Sequence, residues 1–279
     1  MRLSFKSRVE APVFRKPAHT DPPVMQSSDL AALYRAARVG GDFFDFVQVG
    51  SDRLIFALLD IAGKRDEALN IAASVQDTLR TRAPELFSAP DLNEADAVTD
   101  LVLAVNHSIL AAAGGVRCAP GIVGCYNESL GIVYYINAGS VPALVKTDDS
   151  ITVLESSGLP LGLFSHATHD AQVCVLSEGG TLLLASRGLL EVKVGGEEYG
   201  IDRFKESLRT ATGERAKEIC SQVLQAVTDF IEQNKRRKFL GFGGGNNHSN
   251  GENESLGEND VTAVALLRCA AKVGAASAS

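Results

Sequence analysis

Three aspartates in this sequence stand where carboxylates could converge on a ligand. Asp42 and Asp45 lie three residues apart in VGGDFFDF, and the adjacent glycines would let the main chain approach a ligand closely. Asp60 closes the apolar run RLIFALLD immediately before the tight turn IAGK. Acids at strand ends beside glycine turns suit hard divalent cations such as Mg²⁺ and Mn²⁺, which take carboxylate and water oxygens. Taken alone, acids in solvated turns explain these positions better than metal binding does. His166 and His169, three apart in a loop-like stretch, read as surface residues, because no cysteine or carboxylate set accompanies them.

The segments that must position these acids follow from periodicity. Asp29 to Ala37 and Phe43 to Val49 have strand-like content, and Arg53 to Asp60 reads as a buried strand. Asp66 to Thr81 is expected to be a helix, with Leu69, Ala72, Ala73, Gln76 and Leu79 on or near one stripe and Asp66 as its cap. A second helix is expected from Asn93 to Ala113. From Arg117 to Leu184 short strands alternate with Gly, Asn, Asp and Ser turns, the pattern of an antiparallel meander. Helices return at Ile201 to Thr210 and Glu214 to Asn234, the latter running into the basic residues Lys235 to Lys238, which suit a solvated helix end. A last strand is expected at Asp260 to Arg268. Residues 1–28 read as a loose arm, 29–268 as one domain and 269–279 as a tail. The Gly-, Asn- and Ser-rich stretch 241–259 reads as a surface loop, and it lacks the G-K-[ST] ending of a phosphate-cradling loop. Strand-rich and helix-rich blocks in separate runs point to an α+β fold.

Composition narrows the function. With 279 residues and 45% hydrophobic content the chain can bury a substantial core, and a formal charge of −7 leaves no broad basic face for nucleic acid. The apolar run Leu101 to Ala113 is interrupted by Asn106 and His107 and is shorter than a membrane span, and the amino terminus lacks the apolar stretch of a secretory signal. Five dispersed cysteines without a C-x-x-C pair read as small hydrophobes in a reducing compartment. A cytoplasmic protein without a nucleic-acid or membrane partner is therefore expected.

The motifs VGGDFFDF, LLDIAGK, NAG-x-x-P-A-L, GLPLGL, TLLLASRGLLE, EEYGIDRF and NDVTAVALLR occur in an order and spacing that resemble the PPM-type (protein phosphatase 2C-like) serine/threonine phosphatases, in particular the bacterial SpoIIE/RsbU-like branch, over roughly Asp29 to Arg268. The resemblance implies a four-layer α-β-β-α sandwich of two antiparallel sheets flanked by helices. It also implies a centre of two Mn²⁺ or Mg²⁺ ions whose activated water attacks a phosphoserine or phosphothreonine. The implied substrate is a phosphorylated regulator of the anti-anti-sigma type. A separate regulatory domain is the alternative partner, and a homodimer is open.

Residue by residue, the resemblance places metal-binding acids on Asp42 and Asp60, with the carbonyl of Ile61 as a further ligand. Where the family has the aspartate of T-D-G, this chain has Ser186, Arg187, Gly188, and where it has D-D-x-T, this chain has Asn259, Asp260, Val261, Thr262. Arg65 and Ser140 also depart from the family's Gly and His. Two of four metal carboxylates are thus replaced, and the −4 that the family offers falls to −1 for Asp42, Asp60 and Arg187 together. A guanidinium is donor-only and stays charged, so Arg187 cannot coordinate a metal, and at short range it repels one. It is expected to pair with Asp42 or Asp60, and its fork also suits a phosphate oxygen. Asp45 and Asp260 are alternative ligands, and Arg35 and Arg38 are candidate phosphate-binding residues. The expected result is a degenerate site with weak or absent metal binding, in a module that binds a phosphoprotein or partner. The alternative is a working phosphatase.

Overall fold

The computed structural model describes residues 15–35, 41–148, 150–240 and 260–270. Arg38, Asn259 and the 241–259 segment lie outside them.

Strand β3 (Arg53–Asp60) shows why its sequence is apolar throughout. Leu54, Phe56 and Leu58 face a core between two sheets, while Ile55, Ala57 and Leu59 face a second core under helices, so both faces are buried. With β2 (Asp42–Val49), β4 (Gly121–Asn127), β5 (Ile132–Ala138) and β8 (Gln172–Val175) it forms an antiparallel sheet of order β2-β3-β4-β5-β8. The other sheet has order β1-β12-β9-β6-β7, from β1 (Ser28–Arg35), β12 (Val261–Arg268), β9 (Thr181–Ala185), β6 (Ala143–Lys146) and β7 (Ile151–Val153). Its strands split their faces in the same way: Leu182, Leu184, Val264 and Leu266 enter the core between the sheets, and Leu183, Ala185, Ala263 and Ala265 enter a third core.

Helices α1 (Arg65–Phe87) and α2 (Glu94–Ala113) cover the first sheet. Helices α4 (Gly200–Thr210) and α5 (Ala216–Leu240) cover the second, and the result is the expected α-β-β-α sandwich. Helix α1 runs six residues past the expected end at Thr81, because Leu79, Ala83 and Phe87 extend its buried stripe in steps of four despite Pro84. Asp66 lies in its first turn and does not cap it: the capping position is Lys64, with no side-chain bond. Asn93 does cap α2, accepting from Ala95 N–H at 3.1 Å. By length and composition α2 reaches a membrane span, yet its apolar face, Val98, Leu101, Val102, Val105 and Ile109, is fully buried in the helix-side core.

Sequence periodicity gave no sign of the single turn α3 (Arg187–Leu190) or the hairpin β10 (Lys193–Val194) and β11 (Glu197–Glu198). Nor does the described part of the amino-terminal arm hang loose. Met25 is buried, and the N–H groups of Gln26 and Ser27 donate to Glu128 at 3.1 and 2.8 Å. His169 is buried as well and not at the surface, its Nε2 lying 2.8 Å from the carbonyl of Leu159.

Candidate functional site

Four strand ends meet at one edge of the sandwich. Asp42 opens β2 and Asp60 closes β3, and the antiparallel register makes them direct cross-strand partners, so both carboxylates leave the same face. From the opposite sheet come the end of β9, which continues through Ser186 into α3, and the start of β12, preceded by Asp260. Together they enclose a cavity of about 190 Å³ lined by Asp42, Asp60, Ile61, Arg187, Glu191 and Asp260.

Gly41 makes this convergence sterically feasible. Its carbonyl accepts from Ile61 N–H at 2.9 Å, and a Cβ built on it would lie 2.9 Å from Ile61 O, closer than a real Cβ approaches another atom. The close approach that glycine allows here is thus to the chain's own backbone. Gly41 N–H also donates to Asp260 Oδ2 at 3.0 Å, and the Tyr34 hydroxyl donates to the same oxygen at 2.7 Å.

The carboxylates differ in their surroundings. Asp42 Oδ2 accepts from Thr262 Oγ1 at 2.7 Å. Burial pushes the Asp42 carboxyl up to about 7; hydrogen bonds from Thr262 and Ser186 oppose this, and the neighbouring acids Asp60 and Asp260 add to it. The Asp60 carboxyl is also raised, mainly by burial, with Arg187 holding it down and Glu191 and Asp260 pushing it up. Asp42 can therefore hold or release a proton near neutral pH.

Arg187 lines the cavity, but its hydrogen-bonded partner is Glu191, at 2.7 Å, and not Asp42 or Asp60 as expected. The reason is local: α3 is one helical turn, and residues four apart on a turn are neighbours. Two other expected positions fall outside the cavity. Asp45 is an odd number of residues from Asp42 on the same strand and so takes the opposite face, where it is fully buried and accepts from Arg80 Nε and Nη2, each at 3.0 Å. This parity is readable in the sequence. Arg35 is exposed; it pairs in register with Val261, whose side chain packs in the core under α5, which puts Arg35 on the helix side of β1. Asp260 does line the cavity, as does Glu191. Behind them Thr262 bonds Asp42, Tyr34 bonds the Asp260 carboxylate and the Ser186 hydroxyl bonds the Asp260 carbonyl, three contacts that no spacing announced. Only the D-x-T pattern around Thr262 could have signalled one of them.

Two facing antiparallel sheets, each covered by helices, with acids at the ends of their strands, make the fold of PP2C-type phosphatase domains. The chain belongs to the Stage II sporulation protein E (SpoIIE) family, whose model matches residues 50–237. It is similar to the RsbU and RsbW domains of Rv1364c from Mycobacterium tuberculosis (TM-score 0.63, 24% identity, 89% of this chain and 63% of that one). A second similar structure is the PP2C phosphatase domain with a fragment of the regulatory domain of SpoIIE from Bacillus subtilis (TM-score 0.64, 17% identity, 87% and 64%). In sequence it is 25% identical over 236 residues to Protein IcfG of Synechocystis sp., covering 75% of this chain and 36% of IcfG. The chain thus spans about a third of IcfG and just under two thirds of the two solved chains.

The resemblance implies a magnesium or manganese centre, and one structurally similar protein, RsbX, is solved in complex with magnesium (TM-score 0.53, 13% identity). The residues described here do not fit a two-metal centre. Arg187 occupies the wall of the cavity and brings a positive charge, Glu191 is turned to it, and Asp260 is engaged by Gly41 and Tyr34. Four acids share the cavity, yet among the described residues no group of three or more His, Cys, Asp or Glu is arranged to hold a metal ion.

Proposed function

We propose that this chain is a cytoplasmic module of bacterial phospho-signalling that uses the phosphatase fold to bind a phosphorylated regulator of the anti-anti-sigma type, or a separate regulatory domain, with little or no metal-dependent activity. The observation that carries this reading is Arg187 in the wall of the Asp42–Asp60 cavity. A guanidinium there raises the free energy of a divalent cation at the same place, and its remaining N–H groups suit a phosphate oxygen. A second reading, an active metal-dependent serine/threonine phosphatase acting on such a regulator, draws support from Asp260 and Glu191, which the strand ends bring beside Asp42 and Asp60.

Phosphate release from p-nitrophenyl phosphate and from a phosphoserine peptide in excess Mn²⁺ separates the two. The natural chain is expected to be inactive and to give no calorimetric Mn²⁺ binding, while the double variant Arg187→Asp, Asn259→Asp gains both. A natural chain that turns over and loses activity on Asp60→Asn establishes the second reading instead.

A further inference from the structure

Helix α1 and strand β2 present a set of buried polar groups on the face away from the cavity, and the amino-terminal arm satisfies them. Gln76, 4% exposed, uses both ends of its amide on one arm residue: Ala18 N–H donates to Gln76 Oε1 at 2.7 Å, and Gln76 Nε2 donates to Ala18 O at 3.0 Å. An amide paired with both main-chain groups of one residue reads backbone and not side chain, as an added strand does. Two residues on, the Thr20 hydroxyl donates to the buried Asp45 carboxylate. It also accepts from Arg80 Nη2 at 3.1 Å and from Gln76 Nε2 at 3.3 Å. An ion pair from Arg15 to Asp77 extends the attachment.

The arm adds little apolar burial here, since Ala18 and His19 are exposed, so polar recognition and not core packing seats it. Beside it runs a groove of about 570 Å³ that reaches Asp42 past Tyr34, Phe44 and Arg65. Buried polar groups such as Gln76 and Asp45 are costly when unpaired, which favours an occupant at all times.

We propose that Gln76, Asp45 and Arg80 form a peptide-binding site that this chain fills with its own Ala18 to Thr20. The site takes an extended segment carrying Ser or Thr two residues after the position whose main chain pairs with Gln76. A partner segment of that pattern competes with the arm for it. The site stands whether the Asp42 cavity binds or catalyses, because it lies on the other face of β2.

The test uses the full chain and the double variant Ala18→Pro, Thr20→Val, which removes the N–H and the hydroxyl from the arm and leaves α1 and β2 untouched. Amide hydrogen exchange reports release of the arm. Fluorescence anisotropy then follows a labelled peptide with the sequence Arg15–Pro22, alongside the same peptide with valine in place of threonine. The threonine peptide is expected to bind the double variant at least ~10-fold more tightly than the natural chain, and at least ~10-fold more tightly than the valine peptide does, as loss of a hydrogen bond to a charged group implies. Binding to neither protein, equal binding of the two peptides, or an arm still protected in the variant each overturns the proposal. Should the double variant fail to fold, Thr20→Val alone is put to the same comparison.

Discussion

Asp42 is the residue whose charge the fold controls most visibly. Burial pushes its carboxyl from the ordinary 3.8 up to about 7 in the folded protein. Between those values the native state keeps a proton that the unfolded chain has released, so stability falls as pH rises through this window and levels off above about 7. Asp42→Asn removes that fall. Chemical denaturation at pH 4 and pH 8 with chelator present is expected to show a loss on the order of 2–3 kcal/mol in the natural chain, allowing for partial exposure, and most of it gone in the variant. A second residue-scale effect lies on the opposite face of β2. Arg80→Ala leaves Asp45 buried with, among the described residues, Thr20 from the arm as its side-chain partner, and is expected to cost roughly 2–3 kcal/mol in urea unfolding, whereas an exposed ion pair such as Arg82 with Glu85 is worth well under ~1 kcal/mol.

At the scale of elements, the strands do two jobs: they seal two cores each, and they end in acids at one edge. The first job leaves no slack where strands lie closest to neighbouring rings. A Cβ at Gly124 on β4 would lie 2.5 Å from Phe56 Cζ and 2.6 Å from Tyr134 O, so Gly124→Ala is expected to destabilise the protein by about 2 kcal/mol, read as a lower denaturation midpoint at unchanged slope. Much at this scale was legible in the sequence. RLIFALLD and TLLLAS are apolar on both faces because each sheet has a covered side and an inner side. Helix α1 was read six residues short because its stripe continues through a proline, and α3 was not seen because four residues carry too few repeats for a period to register.

For the whole molecule, what matters is how the two sheets are joined. Asn137, buried at the end of β5, donates to Val141 O at 2.8 Å and Leu154 O at 2.9 Å and accepts from Val141 N–H at 2.8 Å. It thus ties the first sheet to the start of β6 and the end of β7 in the second. Asn137→Ala leaves these main-chain groups buried and unpaired, and is expected to lower stability by about 3 kcal/mol in calorimetric or denaturant unfolding. Asn106, which interrupts the apolar run of α2, acts similarly on a smaller scale: it donates to Phe164 O at 2.9 Å and accepts from Gly162 N–H at 2.8 Å, pinning the GLPLGL segment to the helix.

From the sequence alone follow the α-β-β-α architecture, the placing of Asp42 and Asp60 at strand ends, and the guanidinium at position 187 where the resemblance implies a carboxylate. Those readings depend on local periodicity and on motif order, which the chain carries residue by residue. Tertiary structure alone decided which groups share the cavity. Thr262 reaches Asp42 across 220 residues of sequence, Tyr34 reaches Asp260 across 226, and Thr20 reaches the far face of β2 at Asp45. Such pairings depend on which sheet packs on which and in what register, and they are invisible to any reading that looks only a few residues ahead.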